Sequence, residues 1–126
     1  MNIKRAITAG AMLWGIIFIE WSVIVFAPVL KDLSANSQFL VHFLVLIPIV
    51  IFGARYYYRK ADKTNGFVVG LAMLATGIVL DAIITVPLFV GQDGTTHAQF
   101  FLNPLMLAGF AEFIIIMGLY WKKKIA

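Results

Sequence analysis

The sequence predicts an all-α integral membrane protein: an antiparallel bundle of four transmembrane helices with both termini in the cytoplasm. Three observations predict it, namely four long apolar segments, a very apolar composition and basic residues placed almost entirely on one side. Of the 126 residues, 62% are hydrophobic and 13% are charged, whereas a soluble domain has about 25% charged residues. Because a chain of this size leaves much of its surface exposed, we expect the lipid bilayer to surround it.

The four apolar segments cover residues 6–30, 38–58, 66–90 and 99–121. A helix of about 20 residues crosses the hydrocarbon core, and helices satisfy their own backbone polar groups, as lipid requires. The connections are short and polar, which predicts that consecutive helices pack as antiparallel neighbours. We therefore expect a single integral membrane domain over residues 1–126.

The basic residues predict the orientation of the spans. Only Lys31 lies on one side of the predicted membrane, and the other nine of the ten Lys and Arg residues lie on the opposite side. These nine are Lys4, Arg5, Arg55, Arg59, Lys60, Lys63, Lys122, Lys123 and Lys124. Such an excess marks the cytoplasmic side of a membrane protein. The net charge of +4 is thus explained by topology, and no nucleic-acid partner is expected.

Three acidic residues lie inside the spans: Glu20 in the first, Asp81 in the third and Glu112 in the fourth. At 1.5 Å per residue, Glu20 and Asp81 are expected at one level, with Glu112 nearer the middle of the membrane. A charged carboxylate costs roughly 2.5–3.5 kcal/mol at the bilayer centre, and no Lys or Arg lies beside these three. We expect them to be protonated and to form an acidic layer that binds protons or a cationic solute, with Thr85 beside Asp81.

Glycines on the same helix faces predict that the acidic residues lie at helix–helix contacts and do not face lipid. Gly66, Gly70 and Gly77 share one face of the third span with Asp81, and Gly109 shares a face with the acidic residue of the fourth. Small residues allow helices to approach closely, so these four glycines are predicted helix-packing positions, within or between copies. The alternative is that the acidic residues only join helices, at about 0.6 kcal/mol per contact.

Pro87 follows the acidic position of the third span by six residues. Because proline has no backbone N–H, it is expected to free the carbonyl of Ile83, four residues earlier, for a ligand or for a hydroxyl such as that of Thr85.

His42 and His97 are the two histidines, and both are predicted near the outer surface. They are candidates for a metal or haem site but have no ligand-spacing motif. The plainer interpretation is that they are interfacial residues with ordinary hydrogen bonds. No cofactor is expected.

The leading functional hypothesis is a small transporter or channel-like protein whose acidic layer handles protons or a cationic solute. Four helices enclose little volume, so a homodimer is the expected assembly. One alternative is a non-catalytic subunit or assembly partner of a larger membrane complex, and another is a haem- or metal-binding membrane protein. An enzyme is not favoured, because the chain has no cysteine and no motif for nucleophilic, zinc or phosphate chemistry.

The stretch "LDAIITVPLF", residues 80–89, resembles a segment in an uncharacterised family of small four-helix bacterial membrane proteins. The resemblance implies a four-span fold in the cytoplasmic membrane of a prokaryote. It implies no activity.

Overall fold

The computed structural model describes residues 1–59, 63–88 and 96–125. These ranges are helical and contain no strand, and four of the helices are long and apolar enough to cross a membrane. The four are α1 (Ile3–Phe26), α2 (Ala35–Tyr58), α3 (Gly66–Leu88) and α4 (Pro104–Lys124). A 3-10 turn, Leu30–Asp32, follows α1, and a short helix, His97–Phe101, precedes α4.

Polar side chains cap the starts of the four long helices. Asn2, Ser34, Asn65 and Asn103 each accept a hydrogen bond from a backbone N–H of the first turn, which satisfies a donor that has no partner within the helix. In a membrane segment such caps matter because an unpaired backbone group is costly in lipid.

The helices begin or end a few residues from the predicted limits, for example at Ile3 and Ala35 in place of residues 6 and 38, and two spans differ in a further way. The first helix ends at Phe26 and not at residue 30, since the chain turns into the 3-10 segment. The predicted span 99–121 is divided at Asn103 and Pro104, because Asn103 caps a new helix whose first residue is Pro104, a position that needs no N–H. The predicted end of the third span, residues 89–90, lies outside the described residues.

The four helices form a ring of contacts. Helix α1 packs against α2 and α3, and α4 also packs against α2 and α3. Although α2 and α3 are consecutive, they do not pack side by side in the described part of the chain. The expectation that all consecutive helices are neighbours is therefore wrong for this pair.

Close contacts at glycines explain why α3 lies between α1 and α4. A Cβ at Gly10 of α1 would lie 2.7 Å from the carbonyl oxygen of Met73, and one at Gly70 would lie 2.9 Å from Cβ of Met117 on α4. Gly66 is in still closer contact with the backbone of Met117. Because no other side chain fits these positions, α3 packs more closely against α1 and α4 than larger residues would allow.

Aromatic and basic residues join the helices at one end of the bundle. The Arg5 guanidinium donates from Nε to the carbonyls of Tyr56 (3.0 Å) and Tyr57 (3.1 Å) at the end of α2. The Trp121 indole of α4 donates to the carbonyl of Lys63, just before α3 (3.1 Å). We call this the terminal end, since α1 begins and α4 ends there, and the opposite end the distal end.

Candidate functional site

Four titratable side chains lie at a similar distance from the distal end. Glu20, His42, Asp81 and Glu112 are six, seven, seven and eight residues from the distal ends of α1, α2, α3 and α4. At 1.5 Å per residue, these separations correspond to about 9–12 Å. Each helix therefore contributes one titratable group to the same layer of the bundle.

Glu20 and His42 form a buried pair between α1 and α2. Nδ1 of His42 lies 2.8 Å from Oε1 of Glu20, and their side chains are 8% and 9% exposed. The Trp21 ring lies 4.9 Å from the imidazole and shields it further. His42 is thus buried within the bundle, and its ring is the partner that the Glu20 carboxylate requires when buried.

Glu112 extends this pair to α4. Gly109 faces the other side of the imidazole, since a Cβ there would lie 3.8 Å from Nε2 of His42. Glu112 follows Gly109 by three residues, so it lies on the same face, within electrostatic range of both His42 and Glu20. Oε2 of Glu20 and Oε1 of Glu112 are buried and have no hydrogen-bond partner among the described residues. We call Glu20, His42 and Glu112 the carboxylate–imidazole cluster.

Asp81 has different partners, on α1 and on its own helix. The indole N–H of Trp14 donates to Oδ1 of Asp81 (2.8 Å), and the hydroxyl of Thr85 donates to the same oxygen (2.7 Å). Among the described residues, Oδ2 of Asp81 accepts no hydrogen bond. We call Trp14, Asp81 and Thr85 the Asp81 site.

A π-helical turn at Asp81–Thr85 places these groups. In this turn the N–H of Val86 donates to the carbonyl of Asp81, five residues earlier. With the same spacing, the carbonyl of Ala82 would pair with Pro87, which has no backbone N–H to donate. Nε2 of His97, in the short distal helix, lies 3.0 Å from that Ala82 carbonyl. Since a carbonyl only accepts hydrogen bonds, Nε2 is the protonated nitrogen. The prediction that Pro87 frees the carbonyl of Ile83 stays a prediction, and the carbonyl that His97 contacts is that of Ala82, one residue earlier.

The acidic residues fall into two groups. The described hydrogen bonds of Asp81 go to Trp14 and Thr85, whereas Glu20 is bonded to His42 and lies near Glu112. The expectation that Glu20 is the immediate companion of Asp81 therefore differs from the observed contacts.

The four predicted packing glycines also divide. Gly66 and Gly70 contact α4, and Gly109 faces Phe43 and His42. A Cβ at Gly77 would have nothing within 4 Å, so Gly77 borders open space one helical turn from Asp81. Within the described chain, Gly77 is not a position of close helix contact.

The two histidines bind separate partners. His42 contacts a carboxylate and His97 a backbone carbonyl. Over residues 1–59, 63–88 and 96–125, no group of three His, Cys, Asp or Glu side chains is arranged to hold a metal ion.

Residues 29–125 match a family model. The chain belongs to the family of unknown function DUF5367. The DUF5367 match includes His42, Asp81 and Glu112, and it begins after α1, which carries Glu20 and Trp14. No curated protein and no solved structure matches the chain. Membership of DUF5367 is consistent with the resemblance to an uncharacterised family.

Two partners in these sites were not expected from the sequence, namely Trp14 for Asp81 and His42 for Glu20. Trp14 and Asp81 are 67 residues apart, and no spacing pattern connects them. The sequence feature that bears on the Trp14–Asp81 contact is Gly10, one turn before Trp14. A glycine allows two helices to approach closely, and the contact of Gly10 with Met73 sets the register of α1 against α3.

Proposed function

We propose that the protein is a small integral membrane transporter or channel-like protein that handles protons or a cationic solute in the cytoplasmic membrane of a prokaryote. In this proposal the four helices run antiparallel and both termini are cytoplasmic, so the terminal end faces inwards and the distal end outwards. The nine basic residues on one side support this orientation. Contact of the start of α1 with the end of α2 supports the antiparallel direction.

The observation that carries the proposal is the carboxylate–imidazole cluster. A Glu–His pair at 2.8 Å shares one proton, whichever of the two groups holds it. Two further carboxylate oxygens, on Glu20 and Glu112, are buried without a hydrogen-bond partner in the part of the chain that the structure describes. An unpaired carboxylate oxygen is costly in lipid unless it gains a proton or a cation. The cluster therefore provides acceptor atoms on α1 and α4 with an imidazole between these helices.

The proposed roles follow from these contacts. Glu20 and Glu112 take up and release protons. The ring of His42 accepts a proton at one nitrogen and releases the proton of the other nitrogen, as imidazole does in proton shuttles. Asp81 binds the cationic solute through Oδ2, while Thr85 and Trp14 fix the carboxylate by donating to Oδ1. The carboxylate–imidazole cluster therefore lies on α1, α2 and α4, and the Asp81 site lies on α1 and α3.

We further propose that two copies assemble to form the pathway. Four helices enclose little volume, and large apolar side chains such as Phe26, Leu40 and Leu44 are exposed on the described bundle, which suits contact with lipid or with a second copy. Light scattering of the purified protein in detergent is expected to give the mass of two chains, and a monomer at all concentrations would contradict this.

A proton-flux measurement in proteoliposomes tests the proposal. The vesicles enclose a pH-sensitive dye, and a potassium gradient with valinomycin sets the membrane potential. The wild type is expected to carry protons faster than protein-free vesicles, and Glu20→Gln and Glu112→Gln are expected to reduce the flux to background. Asp32→Asn, at an exposed acid in the turn after α1, is the matched control and is expected to behave as the wild type.

The contrary outcome distinguishes the other hypotheses. Wild-type flux at the level of protein-free vesicles, with and without added organic and inorganic cations, would overturn transport. Co-purification of the chain with a larger membrane complex would then favour the non-catalytic subunit.

A further inference from the structure

We propose that the Asp81 site binds an organic ammonium ion with an apolar or aromatic body, held between α1 and α3. This inference rests on the proposed function, because it specifies the class of cationic solute. Three features support it: a carboxylate oxygen of Asp81 that accepts no hydrogen bond from the described residues, the aromatic rings of Trp14 and Phe18 on α1, and open space beside Gly77.

The first feature is the geometry of the carboxylate. Both donors, the Trp14 indole and the Thr85 hydroxyl, bind Oδ1, so Asp81 is fixed in one orientation. Oδ2 has no hydrogen bond from the described residues, and the side chain is only half-buried. When Asp81 releases its proton, a cation therefore finds one positioned carboxylate oxygen without first displacing a donor from the described residues.

The second feature is aromatic. Trp14, which donates to Asp81, also lies beside Phe18, with ring centroids 5.5 Å apart. Both rings are half-buried and lie on α1; the indole contacts the carboxylate of α3, and the Phe18 ring lies beside the indole. Aromatic faces attract ammonium ions, most strongly where water is excluded, and indole is the best of them. A carboxylate with indole and phenyl rings nearby suits an alkylated ammonium ion.

The third feature is room beside the carboxylate. On α3, Met73 and Val86 are buried, but no residue of the stretch 74–85 between them is buried. Gly77 lies within this stretch, and a Cβ there would meet no atom of residues 1–59, 63–88 and 96–125 within 4 Å. Since Gly77 and Asp81 are one helical turn apart on the same face, the open space adjoins the carboxylate.

An inorganic cation fits this site poorly. Divalent ions require six or more oxygen ligands, or an octahedral set that includes several waters. Asp81 is a single carboxylate, and no group of three His, Cys, Asp or Glu side chains that could hold a metal ion occurs among the described residues. The indole N–H is a donor only, and the Thr85 hydroxyl adds one neutral oxygen. An organic cation needs only one carboxylate with apolar and aromatic surroundings.

A titration followed by nuclear magnetic resonance tests the inference. The chain has three tryptophans, so ¹⁵N-labelled protein in detergent gives three indole N–H signals, and Trp14→Phe assigns the one from the site. The probe is benzyltrimethylammonium, and its uncharged carbon isostere, 2,2-dimethylpropylbenzene, is the control for partition into the micelle. We expect a saturable shift of the Trp14 signal with the cation and none with the isostere.

Two variants locate the site. Asp81→Asn removes the charge and is expected to weaken binding about tenfold or more, while Gly77→Leu fills the open space and is expected to block the probe with Asp81 intact. The Trp121 signal, at the terminal end, reports in both variants that the bundle is folded. Asp32→Asn is expected to bind as the wild type does.

Contrary results are equally specific. Equal shifts with the cation and its isostere, or unchanged binding in both Asp81→Asn and Gly77→Leu, would overturn the inference. A saturable Trp14 shift with sodium or magnesium chloride but not with the probe would assign the site to an inorganic ion instead. Glu20→Gln is expected to retain probe binding while losing proton flux, so failure of the cation site and failure of the proton cluster are distinguishable.

Discussion

Nδ1 of His42 lies 2.8 Å from Oε1 of Glu20, and both side chains are more than nine-tenths buried. This contact joins α1 to α2 within the apolar layer of the bundle and gives the Glu20 carboxylate a partner that can carry charge. It also makes each residue dependent on the other, because either one alone is a buried polar group without its hydrogen bond.

The Glu20–His42 pair is expected to be strongly coupled. Glu20→Leu and His42→Leu each leave one buried partner unsatisfied, at a cost of about 1–3 kcal/mol. The double variant is expected to be no less stable than either single one, with a coupling energy near the upper limit of about 1.7 kcal/mol found between membrane helices. Unfolding in detergent followed by circular dichroism measures the cycle, and additive effects would show that the two side chains do not interact.

Gly70 and Gly77 are expected to respond oppositely to alanine. A Cβ at Gly70 would lie 2.9 Å from Cβ of Met117, whereas a Cβ at Gly77 would meet nothing within 4 Å. Gly70→Ala should lower the free energy of unfolding by about 1–3 kcal/mol through overpacking. Gly77→Ala should raise it by about 0.5–1 kcal/mol, since alanine favours the helix. The same unfolding assay compares the pair, and equal losses at both positions would contradict the described packing.

The number and approximate limits of the spans are predictable from the sequence because apolar length is a local property. Four helices long and apolar enough to span a membrane are present. The division at Asn103 and Pro104 was not predicted, although its capping signal is also local. The apolar character of the flanking residues hid it, since hydropathy is similar on both sides of the break.

The partners of the acidic residues depend on which helices are neighbours and on their register, and neither is a local property. Depth along each helix assigns Glu20 and Asp81 to a similar layer, but depth says nothing about direction around the helix axis. Glu20 faces α2 and Asp81 is bonded to Trp14. The π turn is equally hidden, because the sequence shows Pro87 but not which carbonyl loses its donor.

Pro87 is expected to maintain the π turn. Pro87→Ala supplies a backbone N–H for the Ile83 carbonyl, which allows α-helical pairing. The N–H of Val86 can then move from the Asp81 carbonyl to that of Ala82, where it competes with His97. We expect this variant to be more stable by up to about 3 kcal/mol and to shift the Trp14 indole signal, because Asp81 lies in the same turn. His97→Ala should cost about 0.5–1 kcal/mol in the wild type and nothing in Pro87→Ala.

Pro104 is the matched control for that experiment. It occupies the first position of α4, where proline is well tolerated, so Pro104→Ala should change the free energy of unfolding by less than about 0.5 kcal/mol. A Trp14 signal that stays unchanged in Pro87→Ala would contradict the link between this proline and the Asp81 site.

The orientation of the bundle is testable because the chain contains no cysteine. Asp32→Cys places a thiol in the exposed distal turn, and Lys123→Cys places one at the terminal end of α4. A membrane-impermeant maleimide should label Asp32→Cys in intact cells and Lys123→Cys only after permeabilisation, since the proposed orientation, based on the excess of Lys and Arg, places the terminal end in the cytoplasm. Labelling of Lys123→Cys in intact cells would reverse the orientation, and the carboxylate–imidazole cluster would then lie nearer the cytoplasmic face.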